Sequence, residues 1–374
     1  MAHVTIQDVA RAAHVSLGTV SNAINHPGKL RPETLARVRD AMAELGFLPN
    51  QSARMLAGGR NASFGLVLPR LDHGFSLQIA NGAHSEARRH GYGLLIANAD
   101  EDLDLEQDYL RYFMGTQMSG ILVQPLTGKD WSPRAGVLPI PVVYLDTHSD
   151  LPGYFVAADN VAQGRLIAEH AISLRARRIA VVGQAEDPAL ERRIEGVREV
   201  ARKYPDVDFQ HLDEGAWNLA RDGYMIGSRL AADPEDTRPD FVLALTDVLA
   251  TGVIAGIQDA GLAVPDDIAV AGCDGNPLAW SGGVPLTTCA PAGYEIGRRG
   301  VQFLIEQIEQ QKEARAAAER DAEAAVATTS RESTEDPCRR SLVRPFLLAR
   351  QSTVRTSGGT KPAAQPGLDL GTYL

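Results

Sequence analysis

The chain lacks any apolar run that approaches the ~20 residues needed to span a bilayer, and its N-terminus lacks the basic-then-apolar pattern of a secretory signal. Cysteine is scarce: Cys273, Cys289 and Cys338 are odd in number and show no C-x-x-C spacing. This usage argues against a disulfide framework and against a zinc site. We therefore expect a cytoplasmic protein with ordinary thiols, no membrane contact and no bound metal.

The common enzyme signatures are missing as well. The sequence contains no G-x-S-x-G, no H-E-x-x-H, no G-x-G-x-x-G and no Walker A motif; Gly128-Lys129 is followed by Asp130, where Walker A needs Ser or Thr. We therefore expect no catalytic residues and no cofactor. At 374 residues, 44% of them hydrophobic, the chain is long enough for one small domain and one large or bilobed one.

What is present begins with two short helical patterns on either side of a break at residues 14–16. Helical spacing relates the apolar residues Ile6, Val9, Ala10 and Ala13, then Leu17, Val20 and Ile24. Thr5 and Asp8 can form a capping box, and Ser16 can cap the second helix through the N–H of Thr19. A third helix begins at Pro32 and is stopped by Gly46. The spacing predicts a three-helix helix-turn-helix module.

Short polar side chains on the second helix suit phosphate oxygens and base edges in the major groove of DNA. They are Ser16, Thr19, Ser21, Asn22 and Asn25, with Gly18 among them. Residues 1–60 carry seven Lys/Arg against four acids, a charge of +3 in a chain whose net charge is −10. The first 60 residues and the remainder therefore face different partners. A solvated three-helix bundle is the alternative that the helix pattern alone leaves open.

The run from Val4 to Asn25 resembles the DNA-binding domain of the LacI/GalR family of bacterial transcription regulators. Every fixed position of the family pattern V-T-x-x-D-V-A-x-x-A-x-V-S-x-x-T-V-S-x-x-x-N is matched here. The resemblance implies that Thr5, Ser16, Thr19, Ser21 and Asn25 contact DNA, the last four of them on the phosphate side. The base-reading positions hold Leu17, Gly18 and Asn22, and because members vary there, the operator sequence cannot be copied from a relative.

A short helical segment at about 50–58 lies between Pro49 and Gly58-Gly59. The resemblance implies a hinge helix that folds on operator DNA and inserts a leucine into the minor groove, which kinks the central base step. Ala53 and Leu56 stand at the matching positions. A helical linker whose Leu56 packs on its own domain is the alternative.

From Phe64 onward, continuous apolar runs alternate with helical patterns, which is typical of parallel strands covered on both faces. The runs are FGLVLP, YGLLIANA, GILVQP, VVYLD, RIAVVG, FVLALTD, IAVAGCD and LTTCAP. These are too many strands for one ordinary sheet. We expect an α/β domain of two doubly wound parallel-sheet lobes, with the chain crossing between them near Asp159 and near Pro291. The resemblance implies the same, a periplasmic-binding-protein-like domain that closes on a ligand at the strands' carboxyl ends.

Candidate effector contacts stand at those strand ends and nearby. They are Phe75, Asp146, Arg193, Trp217, Thr246 and Asp274. Carboxylates and a guanidinium can bind vicinal hydroxyls, and an indole face stacks on a sugar ring, so a sugar-like effector is expected. By the family pattern, Arg193 with Gly196 matches R-x-x-G and Asp274 matches the effector aspartate. The alternatives are that the strand-end Asp caps the next helix, that Arg193 makes a surface ion pair and that Trp217 is core.

Three departures from the family bear on these expectations. Thr246 stands where many members have Asn, and Pro291 where many have Gln, so the effector cannot be carried over. Residues 312–340 form an Ala/Glu/Arg/Ser-rich insert, expected to be a frayed helix running into a mobile loop. Residues 354–374 should be a disordered tail. The domains expected are thus a headpiece with its hinge at 1–60 and an effector-binding and dimerisation domain at 61–353.

We expect a homodimeric, nucleoid-associated repressor that binds a pseudo-palindromic operator in double-stranded DNA and responds to a small sugar-like effector. A regulator of the same fold that responds to a nucleobase, a nucleoside or a protein partner is the alternative. An enzyme would be revealed by turnover of a ligand in the cleft.

Overall fold

The structure is a computed structural model that describes residues 4–25, 27–47, 61–71, 74–126, 140–149, 151–185, 188–213, 219–276, 283–290, 293–324 and 339–354. The chain divides into two compact units, Met1–Asn61 and Ala62–Leu374. Within the described residues no helix is long and apolar enough to cross a membrane.

Among its described residues, 4–25 and 27–47, the first unit has three helices and a 3-10 turn at Pro27–Lys29. The helices are α1 (Ile6–Ala12), α2 (Leu17–Asn25) and α3 (Pro32–Glu44). Each helix contributes a fully buried valine to one common core: Val9, Val20 and Val38. Burial of one apolar stripe from each helix holds together elements that are too short to be stable alone.

The ends of these helices follow the sequence closely. Asp8 accepts bonds from the backbone N–H and the hydroxyl of Thr5, at 2.9 and 2.6 Å, so the Asp8 half of the expected capping box forms. The hydroxyl bond to Thr5 is the largest of the effects that hold the pKa of Asp8 below its usual value. Arg31, which precedes α3, makes no side-chain cap bond. Gly46 adopts a positive φ of 62° beyond α3, a conformation that glycine favours.

The described part of the second unit forms two six-stranded sheets. The first comprises β1 (Asn61–Leu68), β2 (Gly93–Asn98), β3 (Met118–Val123), β4 (Val142–Leu145), β5 (Tyr154–Ala158) and β11 (Arg339–Val343). The second comprises β6 (Arg178–Val182), β7 (Asp208–Leu212), β8 (Phe241–Ala244), β9 (Ala269–Cys273), β10 (Thr287–Ala290) and β12 (Phe346–Leu348). The strand orders are β11-β5-β4-β3-β1-β2 and β12-β10-β9-β8-β6-β7. The order therefore reverses beside β1 in one sheet and beside β6 in the other.

Helices cover both faces of each sheet. They are α4 (Gly74–Arg89), α5 (Leu103–Gly115), α6 (Asn160–Ser173), α7 (Pro188–Ala201), α8 (Ala220–Ala232), α9 (Asp247–Asp259) and α10 (Gly293–Ala324). On the first sheet, α4 and α10 bury one face and α5 the other. On the second sheet, α6 and α7 lie opposite α8 and α9. The expected pair of doubly wound lobes is confirmed, and the registered strand pairs are parallel apart from the antiparallel pair β10 and β12.

The crossings between lobes differ from the expectation of two. The chain leaves the first lobe at Asp159, as predicted, where Asp159 caps α6 by accepting from the N–H of Ala162 at 3.0 Å. It returns between β10 and α10, although Pro291 itself lies outside the described residues. A third crossing joins β11 to β12 through Arg344 and Pro345. It was missed because β11 is too polar and β12 too short to give an apolar run. β7 was missed because it is polar, whereas β5, YFVAA, is a buried apolar run that the sequence analysis passed over.

The segment 312–340, expected to be a frayed helix running into a mobile loop, is helical in its first part and departs from the expectation at its end. Its first part, as far as Ala324, continues α10 as regular helix, and its last two residues, Arg339 and Arg340, already belong to β11. The parallel pairing of β11 with β5 takes these two residues into the sheet. The rest of the insert, and the tail beyond residue 354, lie outside the described residues.

Candidate DNA-reading helix and ligand cleft

The second helix of the first unit presents the residues expected to contact DNA. Ser16 caps α2 as predicted, because its Oγ accepts from the N–H of Thr19 at 3.1 Å and lies 2.9 Å from the Thr19 hydroxyl. Leu17 begins the helix with 46% of its surface exposed. Gly18 is exposed beside it.

The other residues expected to contact DNA differ in solvent exposure. Ser21 and Asn22 are half-buried on α2, whereas Thr5 is exposed just before α1. Asn25 is the last residue of α2. The hinge positions Ala53 and Leu56 lie outside the described residues.

Arg193 lies at the centre of the second lobe's carboxyl edge. Its helix, α7, presents the guanidinium to the end of β8, where Nη1 donates to the carbonyl oxygen of Leu245 at 2.6 Å. Nη1 also lies 3.1 Å from Asp274 Oδ1, and Nε donates to Asn160 Oδ1 at 3.1 Å. Because β8 neighbours β6 where the strand order reverses, this is the place at which open α/β sheets bind ligands. Arg193 thus makes a buried ion pair and not a surface one.

A second carboxylate, Asp247, lies beside this pair. Its backbone N–H donates to Asp274 Oδ2 at 3.2 Å, and its own oxygens accept from the N–H of Asn276 and the hydroxyl of Thr288, each at 2.7 Å. Burial, followed by the neighbouring carboxylate of Asp274, raises the pKa of Asp247 to about 7. The site therefore holds one guanidinium and two carboxylates in a place that water scarcely reaches.

Thr246 lies at the same strand end, and its side chain bonds to the helix that follows. Thr246 Oγ1 accepts from the N–H of Leu249 at 3.2 Å and so caps α9. Helix capping, the alternative weighed for the aspartates at strand ends, is thus realised by the threonine. Trp217 lies outside the described residues.

The first lobe supplies the remaining candidates. Asp146 follows β4 with a positive φ of 54°, and its N–H donates to the carbonyl oxygen of Val156 at 2.7 Å. Phe75 lies in the first turn of α4 and is buried in the lobe's core. A Cβ on Gly293 would approach the ring of Phe75 to 2.9 Å, so the two positions fit only with glycine there. Arg193, Thr246 and Asp274 are brought together, whereas Asp146 and Phe75 lie on the other lobe.

Sequence reasoning missed Asn160 and Thr288. Asn160 follows the Asp159 cap, and Thr288 lies within a buried strand, so neither stood out as a polar residue at a strand's end. Cys273 and Cys289 lie in register on β9 and β10, next to the site. Burial raises the pKa of the Cys273 thiol to about 12 and that of Cys289 well above its usual value, which makes both thiols unreactive.

A small helical unit with an exposed polar reading helix, and a two-lobed α/β unit with a buried charge cluster at its strand ends, define the class of ligand-responsive transcription regulators. Residues 5–50 match the model of the bacterial regulatory proteins of the lacI family, and residues 168–334 match a periplasmic binding protein-like domain.

Relatives and solved structures agree with this class. The ribose operon repressor of Bacillus subtilis (strain 168) is 34% identical over 309 residues, which cover 82% of this chain and 92% of the relative. The repressor PurR of Aliivibrio fischeri (strain MJ11) is 30% identical over 318 residues, covering 81% and 91%. The crystal structure of the lac repressor dimer bound to operator and the anti-inducer ONPF superposes with a TM-score of 0.74 at 24% identity, covering 95% of this chain and all of that one. The chain belongs to the LacI family of bacterial regulatory proteins.

Proposed function

We propose that this regulator is a homodimeric repressor of carbohydrate-utilisation genes, released from its operator by a small sugar-like effector bound between the lobes. The observation that carries the proposal is the buried pair of Arg193 and Asp274 at the strand ends of the second lobe, where the strand order reverses. A guanidinium and a carboxylate side by side offer donors and acceptors to vicinal hydroxyls. The Bacillus subtilis relative, named a ribose operon repressor, supports a pentose as the first ligand to test.

Exposed apolar side chains on both lobes support the homodimer. On the first lobe they include Leu77 of α4, with Leu95 and Ile96 of the edge strand β2; on the second, Tyr224 and Met225 of α8, the last with 62% of its surface exposed. Covering these side chains in an interface would remove apolar surface from water. Two-fold pairing would cover them and would place two reading helices on the two halves of a pseudo-palindromic operator.

The DNA contacts proposed are those of the headpiece. Ser16, Thr19, Ser21 and Asn25 would face phosphates, while Leu17, Gly18 and Asn22 would face base edges. Thr5 would contact the DNA as well. The hinge positions Ala53 and Leu56 would act at the minor groove. A protein whose target is an operator acts at the bacterial chromosome, in the cytoplasm. We propose no chemical reaction in the cleft.

The test begins with selection of operator sequences from random duplexes by the full-length protein. The selected site should be an inverted repeat bound by a dimer, as measured by gel shift and by sedimentation. A thermal-shift screen of pentoses, hexoses, nucleobases and nucleosides then identifies the effector. Addition of the effector should weaken operator binding by a coupling of ~1 to 3 kcal/mol.

Three results would contradict parts of the proposal. Selection without an inverted repeat would contradict the dimeric operator complex. A nucleobase that raises the melting temperature while all sugars leave it unchanged would replace the sugar by the alternative ligand class. An effector that tightens operator binding would make the protein a corepressor-dependent regulator.

A further inference from the structure

The turn after β9, residues 274–276, is bound from within its own lobe by a buried carboxylate. Asp247 accepts from the N–H of Asn276 through one oxygen and from the hydroxyl of Thr288 through the other. Thr288 passes the restraint on, since its hydroxyl oxygen accepts from the N–H of Gly275 at 3.1 Å. Asp247 therefore restrains two successive backbone N–H groups of the turn, that of Asn276 directly and that of Gly275 through Thr288.

Asp247 itself is poorly placed to contact a ligand. Only 1% of its surface is exposed, and both of its carboxylate oxygens are already engaged. Gly272 lies so close that a Cβ there would overlap Asp247 Oδ1. Its bonds instead fix the position of Asp274, whose Oδ2 accepts from the backbone N–H of Asp247 while Oδ1 faces Arg193.

The other side of the same turn contacts the first lobe. The carbonyl oxygen of Gly275 accepts from Gln78 Nε2 of α4 at 2.5 Å. Gly74, at the start of α4, lies against the side chain of Asn276 so closely that a Cβ would overlap it. Gln78 Oε1 is buried without a hydrogen-bond partner among the described residues, so the bond that orients this side chain is the one that its Nε2 makes across the lobes.

We infer that Asp247 is a positioning residue that fixes the conformation of the 274–276 turn. In that conformation one side of the turn presents Asp274, the proposed ligand acceptor, and the other side contacts helix α4 of the opposite lobe. The inference rests on the proposed function for the role of Asp274. A displacement of the turn by a ligand would then be transmitted to α4 through Gly275 and Gln78. Without Asp247 the turn would lose both restraints together.

The first test needs no ligand. Hydrogen exchange of the full-length protein, followed by mass spectrometry, compares Asp247→Ala and Thr288→Val with the conservative variants Asp247→Asn and Thr288→Ser. Loss of a buried acceptor should speed exchange about ten-fold in peptides covering 274–276 and also in those covering 75–83 of α4. The conservative variants keep an acceptor for Asn276 and a hydroxyl for Gly275, so they should recover most of the protection.

Gln78→Ala is the matched control on the other lobe. It should speed exchange in α4 while leaving the amides of 275 and 276 protected, because their acceptors are intact. Peptides from the buried strand β1 report global unfolding and should stay unchanged in every variant. If Asp247→Ala speeds exchange at the turn but leaves α4 at the wild-type rate, Asp247 stabilises the turn alone and the inference is overturned.

The second test uses D-ribose as the probe, by titration calorimetry. Asp247→Ala should weaken its binding about ten-fold through displacement of Asp274, and Asp247→Asn should recover most of that loss. Unchanged binding in Asp247→Ala would overturn the ligand half of the inference. If the wild-type protein binds no D-ribose, the proposed pentose is wrong, whereas the exchange measurements still decide whether Asp247 joins the turn to α4.

Discussion

The guanidinium of Arg193 and the carboxylate of Asp274 form an ion pair of 3.1 Å in which only 7% and 4% of the two side chains are exposed. The two residues are 81 positions apart in the chain. Removing one member of such a pair leaves the other charge buried without compensation, which typically costs about 3 to 5 kcal/mol. Mutations here should therefore change folding stability as well as the proposed ligand site.

The first prediction concerns this pair. Asp274→Ala should lower the free energy of unfolding by about 3 kcal/mol, because Arg193 stays buried and charged. Asp274→Asn keeps an oxygen toward Arg193 and should lose less, while still failing to respond to the effector. Urea unfolding measures the first effect, and operator gel shifts with effector measure the second. Normal release of Asp274→Asn from the operator would show that Asp274 does not bind the effector.

The second prediction concerns His170. Burial lowers its pKa to about 4, and its Nε2 lies 3.0 Å from the hydroxyl of Thr353. In the unfolded chain a histidine has a pKa near ~6.5, so between about pH 6.5 and 4 the unfolded state binds the extra proton. The free energy of unfolding should therefore fall as the pH is lowered through this range. Since the ring is partly exposed, we expect a contribution of roughly 1 to 2 kcal/mol.

The control for this prediction is His170→Gln, which retains a hydrogen-bonding group toward Thr353 and does not titrate. Burial, followed by the charge of Arg192, also lowers the pKa of His148, and this contribution remains in the variant. Urea unfolding at pH 7 and pH 4.5 should show a smaller acid loss in His170→Gln than in wild type. Equal losses would contradict the assignment.

The third prediction concerns the contact between α6 and α7. A Cβ on Gly164 would overlap the carbonyl oxygen of Arg193. Gly164→Ala should therefore push the helix that carries Arg193 away and cost about 1 to 3 kcal/mol. Gly115→Ala is the matched control, since no atom lies within 4 Å of its Cβ position at the end of α5. It should leave the melting temperature unchanged or raise it slightly. Equal melting temperatures for both variants would contradict the close helix contact.

The fourth prediction concerns the reading helix. Asn22→Ala should lose about 1 to 3 kcal/mol of affinity for the selected operator and little for random DNA, because we propose that the Asn22 amide faces base edges. Ser21→Ala, on the phosphate side, should weaken binding to both alike. Fluorescence anisotropy with the two duplexes measures the difference. Equal losses on both duplexes in Asn22→Ala would show that the orientation assigned to α2 is wrong.

The sequence by itself determined the local features. Helix starts such as the Ser16 cap depend on residues three positions apart, and the apolar runs of β3 and β9 reveal burial on both faces, so these elements could be located without a structure. The match to the family pattern from Val4 to Asn25 is likewise a property of the linear chain. Arg193 and Asp274 were candidates for the same reason, since each occupies a recognisable position in a motif.

Only the tertiary structure decided which of these residues meet. An apolar run shows that a strand is buried but not which strand lies beside it, because the same pattern fits any neighbour in a sheet. The strand order that places Leu245 and Asp274 around Arg193 is therefore absent from the pattern. The roles of Asp247 and Thr288, whose side chains bond across 41 residues of chain, depend on that order. The contact of Gln78 with Gly275 depends in addition on how the two lobes pack, which no local pattern encodes.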